Sequence, residues 1–419
     1  MRVSLVSTYD IEGGAARAAY RLYRGLNENG VTARLLVQEK CSDEFAIDGP
    51  ASEAGRLLAR LRRPLDKLPV KLYRGRKRGL FSTAWLPTRM GSRLASWRSD
   101  LIHLHWVTDG FMNIGAIGAL DQPVVWTLHD MWAFTGGCHY DEGCGRYRES
   151  CGSCPALGSR RDHDLSSRVW KRKRRATIGR NWTIVTPSRW LADRARESSL
   201  LHRARIEVIP NGLDLGLFRP LDKSFCRQLL GLPSDKKLVL FGALGATSDQ
   251  RKGFQYLVPA LKTLSAGNGA PNSAGLVLGA SEPETAPDVG LPMHYLGRLH
   301  DDTSLAVVYA AADVSVVPSI QENLANSVME SLACGTPVVA FDIGGMSDMV
   351  SHQKNGYLAK PFEAEDLAHG IQWVLADETR REQLSREARD KCEREFEISL
   401  IANRYTALYQ DVLSEHGHR

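Results

Sequence analysis

Val316-Val-Pro-Ser-Ile-Gln-Glu-Asn-Leu-Ala-Asn-Ser-Val-Met-Glu-Ser-Leu-Ala-Cys-Gly-Thr-Pro-Val-Val-Ala-Phe-Asp-Ile-Gly-Gly345 is the stretch on which the fold turns. A mostly apolar run, Val314 to Pro318, is broken only by Ser315 and ends in a polar loop. A helix is expected from about Asn326 to Cys334, stopped at Gly335, and a second apolar run, Pro337 to Phe341, ends at paired glycines. Strand, loop, helix, strand is the repeating unit of a parallel sheet. Two carboxylates, Glu322 and Glu330, bracket the loop and the first helical turn. Open α/β sheets bind ligands outside the carboxyl ends of their strands. Amides at a helix start suit phosphate, and carboxylates accept paired hydrogen bonds from vicinal hydroxyls, as on a ribose or a hexose. The unit is therefore built to grip a sugar nucleotide.

The same alternation extends outward in both directions. Val3 to Thr8, Thr32 to Val37, Leu101 to Trp106, Pro123 to Asp130, Thr183 to Pro187 and Ile206 to Pro210 read as strands of a first half. Helices are expected from Ala15 to Asn29, Phe111 to Leu120, Leu165 to Ile178 and Trp190 to Glu197. The pattern restarts with strands Leu238 to Ala243, Gly275 to Gly279, His294 to Gly297 and Gly356 to Ala359, and a surface loop is expected within 265–292. Short strands alternating with helices predict two doubly wound, Rossmann-like α/β domains facing a central cleft. The expected boundaries are 1–214 for the first domain, with a cysteine-rich insert at 136–155, then 215–394 for the second. A final amphipathic helix begins at Glu395.

With 419 residues, 43% of them hydrophobic and 24% charged, the chain has the make-up of a globular protein with room for two cores. No apolar run approaches the length of a transmembrane helix, and Met-Arg-Val-Ser-Leu-Val-Ser lacks a signal-peptide core, so a cytoplasmic location is expected. The net charge of +6 is unevenly spread: residues 1–216 carry +13 and residues 217–419 carry −7. Arg56 to Arg78 alone holds ten basic residues and one acid, Asp66. Leu57, Leu61, Leu65 and Leu68 form an apolar stripe there, on a helix expected to break at Pro64 and end near Pro69. Such a segment suits an anionic membrane surface, making the protein peripheral on the inner face, or else packs its leucines on its own domain.

Glu, seven residues and Glu, followed by Ala-Cys-Gly-Thr-Pro-Val-Val and Gly-Gly, resembles the donor-site signature of family-four retaining glycosyltransferases with the GT-B fold. The resemblance implies that Glu322 contacts the transferred sugar and Glu330 the nucleotide ribose. Asn323-Leu324 stands where the family often has Phe-Gly, beside the sugar, and Asn326 and Ser327 open the phosphate-facing helix. Gly13 and Gly14 match a glycine loop that faces the donor, and His129 matches a histidine close to the transferred sugar. Lys252 matches the lysine that neutralises the diphosphate leaving group. The partner arginine is replaced by Ala243, and Arg251 is the candidate substitute. Such cations act most strongly on the charge that develops in the transition state. With no Asp-X-Asp in a donor loop, metal-independent transfer from a UDP- or GDP-type sugar is implied. The acceptor would be a growing glycan or lipid-linked oligosaccharide in polysaccharide or cell-envelope assembly. A sugar-nucleotide epimerase or phosphorylase shares this architecture. A basic, zinc-containing nucleic-acid binder is the reading from another class, and the donor motifs speak against it, so no nucleic-acid partner is expected.

Cys138, Cys144, Cys151 and Cys154 fall within seventeen residues, and the last two form Cys-X-X-Cys. The spacing points to one structural zinc, with His139 able to replace a thiolate; two disulfides or four free thiols are the alternatives.

Overall fold

The computed structural model describes residues 1–77, 79–242, 249–266, 272–283, 288–299 and 301–417. The chain divides into two compact units, Met1–Pro210 with Ile401–Arg419, and Asn211–Leu400. Each unit is built on a parallel sheet of six strands among the described residues.

The first sheet comprises β1 (Arg2–Tyr9), β2 (Thr32–Glu39), β3 (Leu101–Leu104), β4 (Val124–Thr127), β5 (Thr183–Thr186) and β6 (Arg205–Val208), in the spatial order β2-β1-β3-β4-β5-β6. β1, β3, β4 and β5 are buried along almost their whole length, as strands covered by helices on both faces must be. One face packs Val3, Leu5, Leu35, Leu101 and Val125 against Ile401, Tyr405, Leu408 and Tyr409 of the last helix, Ile398–Gly417. The other buries Val6, Ile102, Leu104, Trp126 and Ile184.

The second sheet comprises β7 (Lys237–Gly242), β8 (Ser273–Leu278), β9 (Met293–Tyr295), β10 (Val314–Val317), β11 (Val338–Phe341) and β12 (Gly356–Ala359), in the order β12-β11-β10-β7-β8-β9. The direction of winding reverses between β1 and β3 in the first unit and between β7 and β10 in the second. A doubly wound sheet opens its ligand crevice at such a point.

Three expectations need correcting. The units divide after Pro210 and Leu400 rather than at 214 and 394, because Leu213 exchanges backbone hydrogen bonds with Phe396 (2.8 Å) and Ile398 (2.9 Å). Pro64 does not break its helix, which runs Glu53–Asp66 from a Ser52 cap. The break falls two residues later, and Pro69 sits in the first turn of Leu68–Lys71, where a missing N–H costs nothing. The helix expected from Phe111 begins only at Ile114, because Asn113 caps it by accepting from the Ala116 N–H at 2.7 Å. Two helices were not expected, Met90–Trp97 and Lys223–Leu230. Ala243, Arg78 and, within the expected 265–292 loop, residues 267–271 and 284–287 lie outside the described residues.

Candidate active site

In the second unit, the chain leaving β7 reappears at Asp249, which caps the short turn Gln250–Lys252. Gly253 follows with φ +76°, and a Cβ there would lie 1.7 Å from the Pro318 carbonyl oxygen. The turn therefore presses backbone to backbone on the exit of β10, and the Ile320 N–H donates to Arg251 O at 2.8 Å. Gly344 approaches from the opposite side, at φ +53°, where a Cβ would sit 1.9 Å from Glu322 O. Gly344, the first of the paired glycines after β11, is thus required by the fold of the Glu322 loop.

Held between these turns, Lys252 Nζ forms an ion pair with Glu322 Oε1. Their side chains are 25% and 15% exposed, so the charges are sheltered yet open to a ligand. The pair stands at the β7–β10 switch point. Arg251 is differently engaged: its guanidinium forks onto Asp249, with Nη2–Oδ2 at 2.7 Å and Nε–Oδ1 at 3.3 Å. Burial works against the Asp249 charge, but the Arg251 fork and backbone N–H hold its carboxyl below the usual range.

The helix Asn326–Ala333 starts beside Glu322. Its N-cap is Ala325, which has no side chain to cap the first amides, so the positive end of the helix carries no side-chain cap. Asn326 Oδ1 accepts from Asn211 Nδ2 at 3.0 Å, Ser327 is partly buried next to it, and Asn323 and Leu324 are buried in the preceding loop. Glu330 is buried one turn on, where the Tyr309 hydroxyl donates to its Oε2 at 3.0 Å. Tyr309 was missed in the sequence; a tyrosine on a neighbouring helix carries no spacing signal.

In the first unit, Gly13 is the N-cap of the helix Gly14–Glu28, with φ +90° and open space for 4 Å around the place a Cβ would take. The turn is anchored by Asp10, fully buried, which accepts from the N–H groups of Ile11 (2.9 Å), Cys41 (2.9 Å) and Ser42 (2.8 Å). His129 lies two residues beyond β4 and is joined to His105 by Nε2–Nδ1 at 3.1 Å. The His105 ring lies 4.2 Å from that of His103. His103 in turn contacts the Tyr409 hydroxyl and Thr127 Oγ1, both at 2.7 Å. Burial pulls His129 down to about 4 and His103, with help from the His129 charge, to about 3, so both rings are neutral near pH 7.

Asp130 is the charged neighbour. Burial opposes its ionisation, yet His139 Nδ1 (2.6 Å), the Trp132 N–H (2.8 Å) and Trp106 Nε1 (2.8 Å) hold it below the usual carboxylate range. His105, Trp106, Thr108, His129, Asp130 and Trp132 line a small recess. His103 and His105 were missed in the sequence; the faint signal available was their spacing of two at the end of β3, which puts both on one face.

None of the eight cysteines is joined in a disulfide. His139 cannot stand in for a thiolate as expected, because Asp130 takes its Nδ1 and Ser82 Oγ its Nε2, at 2.9 Å. Among the described residues no group of three or more His, Cys, Asp and Glu side chains is placed to hold a metal ion.

Residues 12–217 match the family model described as Glycosyltransferase Family 4, and residues 227–391 match Glycosyl transferases group 1. A D-inositol 3-phosphate glycosyltransferase of Thermobispora bispora is 32% identical over 338 residues, 77% of this chain and 72% of that protein. The chain is a family-four glycosyltransferase. Other relatives of the same name match over 39% to 51% of their own length, so for them the chain spans about half. The glycosyltransferase shares its fold with sucrose-phosphate synthase of Thermosynechococcus elongatus (TM-score 0.72, 21% identity, 99% of both chains). It also shares it with Anabaena HepE solved with UDP-glucose (TM-score 0.63, 17% identity, 99% of this chain and 100% of that one). The GT-B fold expected of this glycosyltransferase is thereby shown.

Proposed function

We propose that this glycosyltransferase moves a hexose-type sugar from a UDP- or GDP-type donor to a glycan or lipid-linked acceptor in polysaccharide or cell-envelope assembly, with retention at the anomeric carbon. The observation that carries the reading is the Lys252–Glu322 pair at the switch point of the second sheet. A diphosphate arriving there takes Lys252, and its departure is eased by that cation and by the amides at Asn326 and Ser327. Glu322, released from Lys252, accepts hydroxyl protons of the sugar, and Asn323 and Leu324 shape its surroundings. Glu330 accepts from the ribose. Arg251 adds to the phosphate site only by leaving Asp249. The positive charge comes from the protein itself, so the transfer step needs no metal.

Gly13 and Gly14 serve the donor by close backbone approach, and neutral His129 hydrogen-bonds the sugar or the acceptor. Retention follows from front-face attack, the leaving phosphate taking the acceptor proton, so no carboxylate acts as nucleophile. The relatives' name and the HepE complex with UDP-glucose support a nucleotide-sugar donor. A thermal-shift screen with UDP-, GDP-, ADP- and dTDP-sugars tests it: a donor at 100 times its Kd adds about 2.7 kcal/mol to stability. Four flat curves overturn the proposal.

The basic helix supports a lipid surface as acceptor platform. Leu57, Leu58, Leu61, Leu65, Leu68 and Leu72 are between 40% and 82% exposed, so they do not pack on their own domain. The opposite side is anchored: Arg62 Nε donates to Gly110 O at 2.6 Å, Arg63 pairs with Asp109 at 3.2 Å, and buried Asp66 receives the N–H groups of Thr83, Ala84 and Trp85. Leucines dip into the interface while Arg56, Arg60, Lys67 and Lys71 meet anionic headgroups. Sedimentation with anionic but not neutral vesicles is expected, and equal binding to both refutes it. Among the described residues no helix is long and apolar enough to cross a membrane.

A further inference from the structure

We propose that Asp130 is a positioning residue of the glycosyltransferase: its carboxylate locks the exit of β4 against the exit of β3 and so fixes where the His129 ring stands. The proposal rests on the reading that His129 touches the sugar or the acceptor.

Backbone pairing of β3 with β4 is registered from Ile102 opposite Val124 to Leu104 opposite Trp126. Side chains extend it towards the carboxyl edge. His103 Nε2 meets Thr127 Oγ1 at 2.7 Å, His105 Nδ1 meets His129 Nε2 at 3.1 Å, and Trp106 Nε1 donates to Asp130 Oδ2 at 2.8 Å. Each of these rungs joins residues 24 positions apart, so they climb in step. The rings of the first two are neutral near pH 7. Between two neutral imidazoles either ring can be the donor, so such a rung alone does not choose a tautomer. The last rung ends on a carboxylate, and hydrogen bonds to an ionised acceptor are about twice as strong as neutral ones.

Asp130 is itself held from several sides. Its Oδ1 accepts from the Trp132 N–H at 2.8 Å, and its Oδ2 also accepts from His139 Nδ1 at 2.6 Å. Ser82 Oγ meets His139 Nε2 at 2.9 Å, and Trp132 Nε1 donates to Ser82 O at 2.9 Å. Asp130, His139, Ser82 and Trp132 thus form a closed ring. The far end of the turn Trp132–Phe134 is held by buried Lys173, on the helix Leu165–Thr177, which donates to Trp132 O and, at 3.0 Å, to Thr135 O. Ser82, His139 and Asp130 have the contacts of a hydrolytic triad. Yet Ser82 and His139 are each 1% exposed, so no substrate reaches the hydroxyl, and the arrangement serves as a mount. The mount needs the carboxylate. Three donors converge on two oxygens that only accept, and an asparagine, whichever way it turns, sets its own N–H groups against at least one of them.

The test labels the histidines of the full chain with nitrogen-15 and reads each ring's tautomer by long-range proton–nitrogen NMR, with His129 assigned from the signals lost in His129→Gln. In the wild type His129 should hold one tautomer. Asp130→Asn should move both its nitrogen resonances towards the average of the two tautomers, while His103, mounted on Thr127 and Tyr409, keeps its own. Trp106→Phe removes one donor and keeps a ring beside Tyr9, so it should give a smaller shift in the same direction, and it carries the test if Asp130→Asn does not fold. Unchanged His129 resonances in the folded variants overturn the proposal. So does averaging of His103 together with His129, the mark of general loosening. Transfer, measured with the donor that gives a thermal shift, separates this proposal from the reading beneath it. Asp130→Asn should lower the rate by up to about 10²-fold, the cost of misplacing a group by roughly 1 Å. Added to His129→Ala it should lower the rate no further, and a further fall there overturns the proposal. His129→Ala at the wild-type rate would sink the sugar contact instead, and the NMR comparison would still decide the mount.

Discussion

At the carboxyl end of the second sheet, Lys252 and Glu322 face each other as full charges, partly open to solvent. At the corresponding end of the first, His103, His105 and His129 stand in a column of neutral rings, closed off by Tyr405 and Tyr409. Both arrangements sit beside a topological switch point, but they answer different needs. A sheltered ion pair holds two charges in place without a ligand and gives them up to one that offers better partners. A neutral column has no charge to give up: its hydrogen bonds fix the face His129 presents, and its burial keeps the ring unprotonated. The second unit is thus built to exchange partners and the first to hold a shape.

Removing the exchangeable charge should have the largest effect. Lys252→Ala is expected to lower kcat/KM by roughly 10²- to 10³-fold, the range for loss of one preorganised donor at a developing charge. Binding of the bare nucleoside should change far less. Glu322→Gln should lower turnover while leaving Lys252 in place. Steady-state kinetics with titrated donor decide both, and equal losses in transfer and nucleoside binding for Lys252→Ala would remove it from the phosphate site. The comparison breaks if both variants behave as wild type.

Glu330 sharpens the contrast from within the second unit. It is buried and already holds the Tyr309 hydroxyl, so it behaves more like the locked groups of the first. Glu330→Gln removes the charge from its hydrogen bonds, worth about 1.5–3 kcal/mol. Nucleotide affinity should therefore fall by roughly 10- to 150-fold with little change in kcat. Calorimetric titration with the nucleoside diphosphate measures it. Undiminished affinity would place the ribose elsewhere.

The unequal construction also explains what could be read in advance. The Glu322–Glu330 spacing is legible because both residues fall within one strand–loop–helix unit, and Gly344 because a tight backbone approach admits no side chain. Strand positions were legible because parallel strands covered on both faces must be apolar throughout. The histidine column was not. Its members come from β3, the segments that follow β3 and β4, and the last helix, and the Tyr409–His103 contact spans 306 positions. Nor could spacing show that Arg251 is taken by Asp249, or that Leu57 and Leu61 face outward, since a leucine stripe on a helix looks the same whether covered or bare. Pro64 misled because the helix runs only two residues beyond it, so the break it signals falls at Asp66 and not at the proline.

The column itself offers the subtlest test, through pH. Burial holds His129 near 4 and His103 near 3, both below the ordinary 6.5. Above pH 6.5 folded and unfolded chains alike carry neutral rings, and the column costs nothing in protonation. As pH falls below 6.5 the unfolded chain takes up protons that the folded first unit refuses, so stability declines until the folded values are reached near 4 and 3. Each ring contributes at most about 1.4 kcal/mol per pH unit across that window. Eight of the nine tryptophans lie in the first unit, so tryptophan fluorescence reports its unfolding with little signal from the second. Urea midpoints measured this way from pH 7.5 to 4.5 should fall with acid, and His103→Gln, though less stable at pH 7 for the partners it strands, should show a shallower fall. An unchanged slope in the variant would mean that His103 is protonated in the folded state or titrates normally. The column would then be one more exchangeable charge, and the contrast with Lys252 and Glu322 would be lost.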